Sequence, residues 1–292
     1  MKLCVRCGLK FNSAGWGCPS CHFTPPLVEN HLSFAPELAK ANDGFEPSYF
    51  AVLANIEANH FWFTSRNHLI IWVLKRYFPE PKNFLEIGCG TGFVLSAIEN
   101  TFPGYTLYGS EVYSAGLNFA AERLRRTNLF QMDARHIPFE NEFQVIGAFD
   151  LLEHIKEDEL VLSHMCTALL KGGGIILTVP QHPFLWSSWD EMSHHKRRYT
   201  RPELLEKVQR AGFKVLWITS FVTLLLPMLV VSRLRWRLSH FSHRRSEDLK
   251  DLNLPSLINN LFQKVCDIEG SILKKGISFP AGGSLLCVGL KE

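Results

Sequence analysis

Two stretches of this chain have residue types and spacings that could do chemistry. The first is Phe84-Leu85-Glu86-Ile87-Gly88-Cys89-Gly90-Thr91-Gly92-Phe93, an apolar run that breaks into glycines and leads into Val94-Leu95-Ser96-Ala97-Ile98. A strand that turns through glycine into a helix presents unpaired backbone N–H groups to a ligand above the turn, as nucleotide sites do. The dinucleotide fingerprint G-x-G-x-x-G needs glycine at position 93, where Phe93 stands, so the G-x-G-x-G spacing argues against nicotinamide and flavin cofactors. The second stretch is Cys4-Val5-Arg6-Cys7 with Cys18-Pro19-Ser20-Cys21, two C-x-x-C knuckles on either side of residues 8–17. Four soft sulfurs gripping one ion favour tetrahedral zinc.

So short a cysteine module has little core, so the metal must supply its folding energy. Residues 1–26 therefore read as a zinc ribbon closed by the linker Thr24-Pro25-Pro26. With only Lys2, Arg6 and Lys10 basic, it suits protein docking or the capping of a neighbouring domain better than nucleic acid. Cys89, Cys166, Cys266 and Cys287 stand in apolar surroundings, where a buried reduced thiol is the ordinary state. The chain opens on these cysteines rather than on a signal peptide, which points to the cytoplasm.

The glycine turn needs strands and helices to hold it. The 292 residues are 46% hydrophobic, enough for one large α/β domain and a small module. A net charge of +3, from 31 basic and 28 acidic side chains, argues against a surface built to hold nucleic acid. Residues 27–82 read as a helical, aromatic lid, with a helix over 69–78 ended by Pro79 and Pro81. From residue 83 onward apolar runs at 83–87, 105–110, 128–132, 143–149, 174–180 and 213–219 alternate with helical patterns at 91–100, 114–126, 157–170 and 202–211. Ser284–Leu290 supplies a last strand. That rhythm predicts an α/β fold with a doubly wound, mostly parallel seven-stranded sheet and ligand at the C-terminal strand ends.

Taken with its order of motifs, the chain resembles the class I S-adenosylmethionine (SAM)-dependent methyltransferases from about residue 45 to the C-terminus. Glu86-Ile87-Gly88-Cys89-Gly90-Thr91-Gly92 looks like their motif I, which implies SAM contacts from Glu86, Gly88, Cys89, Gly90 and Gly92. Glu111, at the end of Tyr105-Thr106-Leu107-Tyr108-Gly109-Ser110-Glu111, matches the acid that accepts from the ribose hydroxyls. Asp133 and Ala134 match the adenine-contacting position. Phe143–Ile155 resembles motif IV, with Gln144 where many relatives carry aspartate. Lys171-Gly172-Gly173-Gly174 reads as the glycine stop of the preceding helix. The string Glu57-x-x-His60-Phe61-Trp62-Phe63-x-x-Arg66-Asn67 resembles the segment before motif I in a subgroup near the ubiquinone-biosynthesis and type 11 and 23 methyltransferases. There the resemblance implies that Arg66 pairs with the SAM carboxylate and that Trp62 or Phe63 covers it.

The acceptor side follows from the same order. His154, His182, His194 and His195 lie on segments that should meet over the cofactor, and Asp190–Tyr199 resembles the subgroup's acceptor-pocket segment. His195 is the expected base, with His154 either catalytic or structural. His182, Arg197, Arg198 and Tyr199 are the expected acceptor contacts, the arginines suiting a phosphorylated or carboxylated molecule, unless one of them pairs with Asp190.

Residues 221–280 form a helical insertion between the last two strands. The apolar stretch 221–231 is too short for a spanning helix of about 20 residues. The basic and aromatic sequel through Arg233, Arg235, Trp236, Arg237, His240, His243, Arg244 and Arg245 suits an anionic membrane surface. An interfacial helix, covered by an amphipathic helix over 257–269, implies a small or lipid-linked acceptor or peripheral contact at the inner face of the membrane. A helix pair packed on the domain or at a dimer interface is the alternative. An RNA methyltransferase that uses the ribbon for binding, or a SAM-binding scaffold without turnover, are the competing functions. The near-neutral charge and the lack of an Asn-Pro-Pro-Tyr-like segment disfavour the RNA reading.

Overall fold

A computed structural model describes residues 1–40, 48–239 and 254–292. The strands that carry the site are β5 (Asn83–Ile87), β6 (Thr106–Glu111), β7 (Asn128–Gln131), β8 (Phe143–Phe149), β9 (Leu169–Pro180), β10 (Phe213–Phe221) and β11 (Ser284–Lys291). Before them come β1 (Lys2–Leu3) and β2 (Lys10–Phe11), which pair with each other, and β3 (Leu27–Val28) and β4 (His31–Ser33). The main sheet runs β10-β11-β9-β8-β5-β6-β7-β4-β3, with β11 antiparallel to both neighbours, β3 antiparallel to β4 and the rest parallel. Strand order reverses between β5 and β8, and it is at such a switch point that open α/β sheets bind ligands.

Helices cover both faces: α1 (Ser48–Ile56), α2 (Phe61–Tyr77), α3 (Phe93–Thr101), α4 (Ser114–Arg123), α5 (Asp158–Ala168), α6 (Ser188–Met192), α7 (Arg201–Arg210), α8 (Leu226–Ser239) and α9 (Ser256–Leu273). Period-2 alternation divides the sheet between two cores. Leu85 and Ile87 of β5 pack with Ile146 and Leu177 on one face, and Phe84 with Val145, Ile176 and Val288 on the other.

Three expectations are corrected. The sheet has nine strands, because residues 27–33, assigned to a helical lid, instead form a hairpin that extends the β7 edge. Glu29 and Asn30 adopt φ of 48° and 67°, both central positions of a two-residue turn with the mirror-image twist hairpins require. The fifth main strand starts at Leu169 rather than 174, so the three glycines do not stop a helix. They sit in a bulge of β9, where Phe143 pairs Leu169 and Val145 pairs Gly174. A Cβ on Gly174 would lie 2.4 Å from the Phe78 ring and 2.6 Å from the Gly289 carbonyl, so only glycine lets the chain pass there. Finally, the lid helix α2 begins at Phe61, eight residues before the expected 69, because His60 caps it through Nδ1 accepting from Trp62 N at 3.3 Å.

The cysteine module packs on the sheet rather than hanging from it. Leu3 N donates to Pro138 O at 2.9 Å and Glu140 N to Met1 O at 2.9 Å. Trp16 sits edge-on to Phe34 (4.4 Å) and Phe139 (5.4 Å), so the module shares the core that backs β7. The late insertion is tied to the lid. Asn259 Oδ1 accepts from Phe61 N at 2.9 Å, Asn259 Nδ2 donates to Asn59 O at 2.8 Å, and Phe262 packs edge-on to Phe61. Glu269 of α9 accepts from Thr223 N (2.6 Å) and Leu224 N (2.9 Å), which fixes the entry to α8. Expected to cover the apolar stretch, α9 lies chiefly along α2 and meets that stretch at Thr223 and Leu224.

Candidate active site

The three glycines after β5 take φ of 71° at Gly88, 51° at Gly90 and 73° at Gly92. A Cβ on Gly92 would meet Leu124 at 2.9 Å and the Ala120 backbone at 3.2 Å, so the turn packs directly on α4. On Gly90 it would meet only Phe50, at 3.7 Å, which leaves room for a ligand to approach the backbone. A cleft of about 830 Å³ opens above, lined by Glu86, Gly88, Cys89 and Gly90 of the turn, and by Glu111, Asp133 and Ala134 from the ends of β6 and β7. Glu86 is fully buried, and its Oε2 has no hydrogen-bond partner among the described residues. Burial holds its carboxyl well above the usual range. Glu111 accepts from Gly90 N (3.1 Å), Val112 N (2.8 Å) and Tyr113 N (3.2 Å), which ties the end of β6 to the glycine turn. Burial raises its pKa, against these hydrogen bonds. Asp133 is bound by Arg135 through Nε at 3.0 Å and Nη2 at 2.9 Å; burial pushes its pKa up, but the arginine outweighs it and the net shift is downward.

The lid supplies the other wall. Glu57 of the α1–α2 connection accepts from Thr91 Oγ1 at 2.8 Å and pairs with Arg123, so it clasps the turn to α4. Trp62 and Phe63 bring their rings to 4.7 Å and 5.7 Å from the Arg66 guanidinium. Arg66 does not stand free for a ligand: its Nη1 donates to Asp150 Oδ2 at 2.6 Å, and Thr178 Oγ1 donates to the same oxygen at 2.8 Å. Asp150, with φ of 54°, follows β8 directly. Sequence reasoning used the rule of an acid at a strand end for Glu111 and Asp133 and did not extend it to Asp150. Glu57 and Arg123 carried no separate signal.

The acceptor end is organised by Asp190, which sequence reasoning treated only as a pairing option. Its carboxylate is completely buried and accepts from Ser187 N (2.8 Å), Ser187 Oγ (2.8 Å), His195 Nδ1 (2.8 Å) and Arg198 Nε (2.7 Å). Ser187 and Asp190 form the capping box that starts the short helix α6. Burial would raise the Asp190 pKa, but His195 and Arg198 overcome it and hold it at about 2. His154 stands edge-on to His195, ring centres 4.6 Å apart, and burial lowers its pKa to about 3, which keeps it neutral. His154, His195 and Arg198 line the cleft. His182, Arg197 and Tyr199, expected acceptor contacts, do not. His182 turns to Phe184, Arg197 pairs with Asp158 at 2.9 Å, and the buried Tyr199 donates its hydroxyl to Asp158 at 2.6 Å. Arg197 and Tyr199 brace α5 and α7 instead, because Asp158 collects them with Lys207 in one buried cluster.

The residues fit both groups the chemistry implies. The open approach over Gly90, the unpartnered Glu86 oxygen and the cleft volume suit a charged nucleoside such as SAM. In the module, Cys4 and Cys21 Sγ lie 3.6 Å apart, as do those of Cys7 and Cys18. Sulfurs about 2.3 Å from one tetrahedral zinc would be about 3.8 Å apart.

A Rossmann-like sheet with a glycine turn at its switch point and acids on the next two strand ends defines the class as SAM-dependent methyltransferase. A profile of the methyltransferase-domain family matches residues 60–217, more than half of the chain, and the protein belongs to that family. Solved structures share the fold. A chain in the complex of the Haloferax volcanii Trm112 methyltransferase activator with a methyltransferase matches at 16% identity and TM-score 0.55, over 83% of this chain and 94% of that one. Phosphoethanolamine N-methyltransferase 2 of Haemonchus contortus with bound SAM matches at 19% identity and TM-score 0.52, over 77% of this chain; this chain spans about half of that one, 52%. Geranyl diphosphate methyltransferase with geranyl diphosphate and sinefungin matches at 13% identity and TM-score 0.52, over 78% of each chain. No curated protein matches the sequence.

Proposed function

We propose that this methyltransferase acts on an oxygen of a small or lipid-linked acceptor, with His195 taking the acceptor's proton. SAM supplies a methyl group on a sulfonium, so the protein's part is to align the partners, exclude water and take up the acceptor's proton. The observation that carries the reading is the Asp190–His195 pair. The buried carboxylate binds Nδ1 at 2.8 Å, which leaves Nε2 as the acceptor on a ring that lines the cleft. A base is needed for a hydroxyl acceptor, hence the preference for oxygen. Glu111 takes the ribose hydroxyls, Asp133 and Ala134 border the adenine, and Glu86 meets the ammonium. Arg66 exchanges Asp150 for the SAM carboxylate under the cover of Trp62. Arg198 holds Asp190 in place and so acts on the acceptor through His195.

Zinc at Cys4, Cys7, Cys18 and Cys21 makes the ribbon a brace for β7, with its outward side free to dock a protein. One similar fold occurs in a complex with an activator protein, which is in keeping with that role. The lipid part of the proposal rests on the insertion. Met228 (53% exposed), Val231 and Leu234 of α8 and Leu257 and Leu261 of α9 face solvent, while Leu229 and Arg233 of α8 line the cleft. No helix among the described residues is long and apolar enough to cross a membrane, so the contact would be interfacial, on the cytoplasmic face. His240, His243, Arg244 and Arg245 lie outside the described residues. Transfer of label from SAM into fractionated cell extract tests the function. Label should enter the lipid fraction with the wild type and not with His195→Asn, and equal labelling by both would sink the role of His195. Flotation with anionic liposomes, lost on deletion of residues 221–245, tests the membrane contact.

A further inference from the structure

We propose that Glu153, His154 and His195 hold a divalent first-row transition ion at the acceptor end of the cleft. One ligand atom from each lies within 4.8 Å of the other two, and all three residues line the cleft. Glu153 is the telling member. Its side chain is completely buried, yet neither carboxylate oxygen has a hydrogen-bond partner among the described residues. A carboxylate in that state is strongly unfavourable unless a cation or donor meets it. Arg198, the cation beside it, does not serve, because it is committed to Asp190. His195 is arranged as metal-binding histidines are, its Nδ1 fixed by a buried carboxylate and its Nε2 left to ligate. The two segments that carry the three groups are joined by Lys196 N donating to Glu153 O at 2.6 Å, so their spacing is set by the backbone.

Two imidazoles and a carboxylate form a donor set suited to zinc, manganese or iron, and three protein ligands leave coordination positions open to the cleft. The inference rests on reading this end of the cleft as the acceptor site, and it changes one role there. The ion would bind the acceptor hydroxyl and lower its pKa; with His195 Nε2 occupied as a ligand the proton would pass to solvent water, so His195 is a ligand in the metal-loaded protein and the base in the metal-free one.

The test uses Mn2+ alone as the probe, because the ribbon's thiolates favour zinc over this harder ion. The full chain, loaded with zinc, is titrated with Mn2+ without SAM, and free Mn2+ is read by electron paramagnetic resonance. One Mn2+ per chain should bind, and Glu153→Gln and His154→Asn should each weaken binding by at least tenfold. Thermal melting checks that the variants fold, and Mn2+ should raise the melting temperature of the wild type but not of Glu153→Gln. Failure of the wild type to bind Mn2+, or binding undiminished in both variants, overturns the proposal. Calorimetry with SAM keeps this result separate: SAM binding without Mn2+ binding removes the metal site and leaves the methyltransferase reading in place.

Discussion

Replacing Asp190 by asparagine keeps the volume and removes the charge at the centre of the acceptor end. The carboxylate's pKa falls from 3.8 to about 2 on folding, because His195 and Arg198 outweigh the cost of burial. A tenfold change in an acid constant is worth about 1.4 kcal/mol, so ionised Asp190 contributes roughly 2 to 3 kcal/mol. Since the folded pKa is depressed, that contribution is complete above the unfolded value and is lost as pH falls from about 5 through 2. Asparagine can still accept from Ser187 but leaves the Arg198 guanidinium, 9% exposed, without a counter-charge. Breaking a buried pair in this way costs on the order of 3 kcal/mol or more, the same order as the gain on ionisation and not additional to it. Urea unfolding followed by tryptophan fluorescence, with Trp189 beside the substitution, should show Asp190→Asn about 2 to 4 kcal/mol less stable than the wild type at pH 7. The gap should narrow as the pH approaches 3. Stability within 0.5 kcal/mol of the wild type at pH 7, or a gap insensitive to acid, would refute the assignment of Asp190 as the ionised hub.

Calorimetry should show SAM binding that Glu111→Ala weakens at least tenfold, since that carboxylate both faces the cleft and holds Gly90, Val112 and Tyr113; unchanged affinity would remove Glu111 from the site. Gly92→Ala forces a side chain into φ of 73° and against Leu124, which should cost about 1 to 3 kcal/mol and loosen the turn. An alanine variant with wild-type melting and SAM affinity would contradict the packing described. Chelation of zinc should unfold residues 1–26, expose the Trp16 indole and weaken SAM binding through the β7 end that carries Asp133. A chelated protein with unaltered fluorescence and affinity would show that the ribbon does not brace the sheet.

What the sequence determined by itself is local. The period-2 and period-3.6 patterns placed the main strands and helices, since each side chain's face depends on spacing along one element. The glycine turn was legible because Gly88, Gly90 and Gly92 need positive φ, and the cysteine knuckles because one ion dictates their spacing. The hairpin at 27–33 escaped because Glu29 and Asn30 are not the usual turn pair, and its pairing partner Phe130 lies about a hundred residues away. Only the tertiary structure decided the pairings among charges. Asp150 takes Arg66, Asp190 takes Arg198 and His195, and Asp158 gathers Arg197, Tyr199 and Lys207. Spacing along the chain cannot choose among acids that meet the same cation in space. A buried charge takes the partner that the packed elements bring within about 3 Å, as the cost of leaving it unpaired in the low-dielectric interior requires.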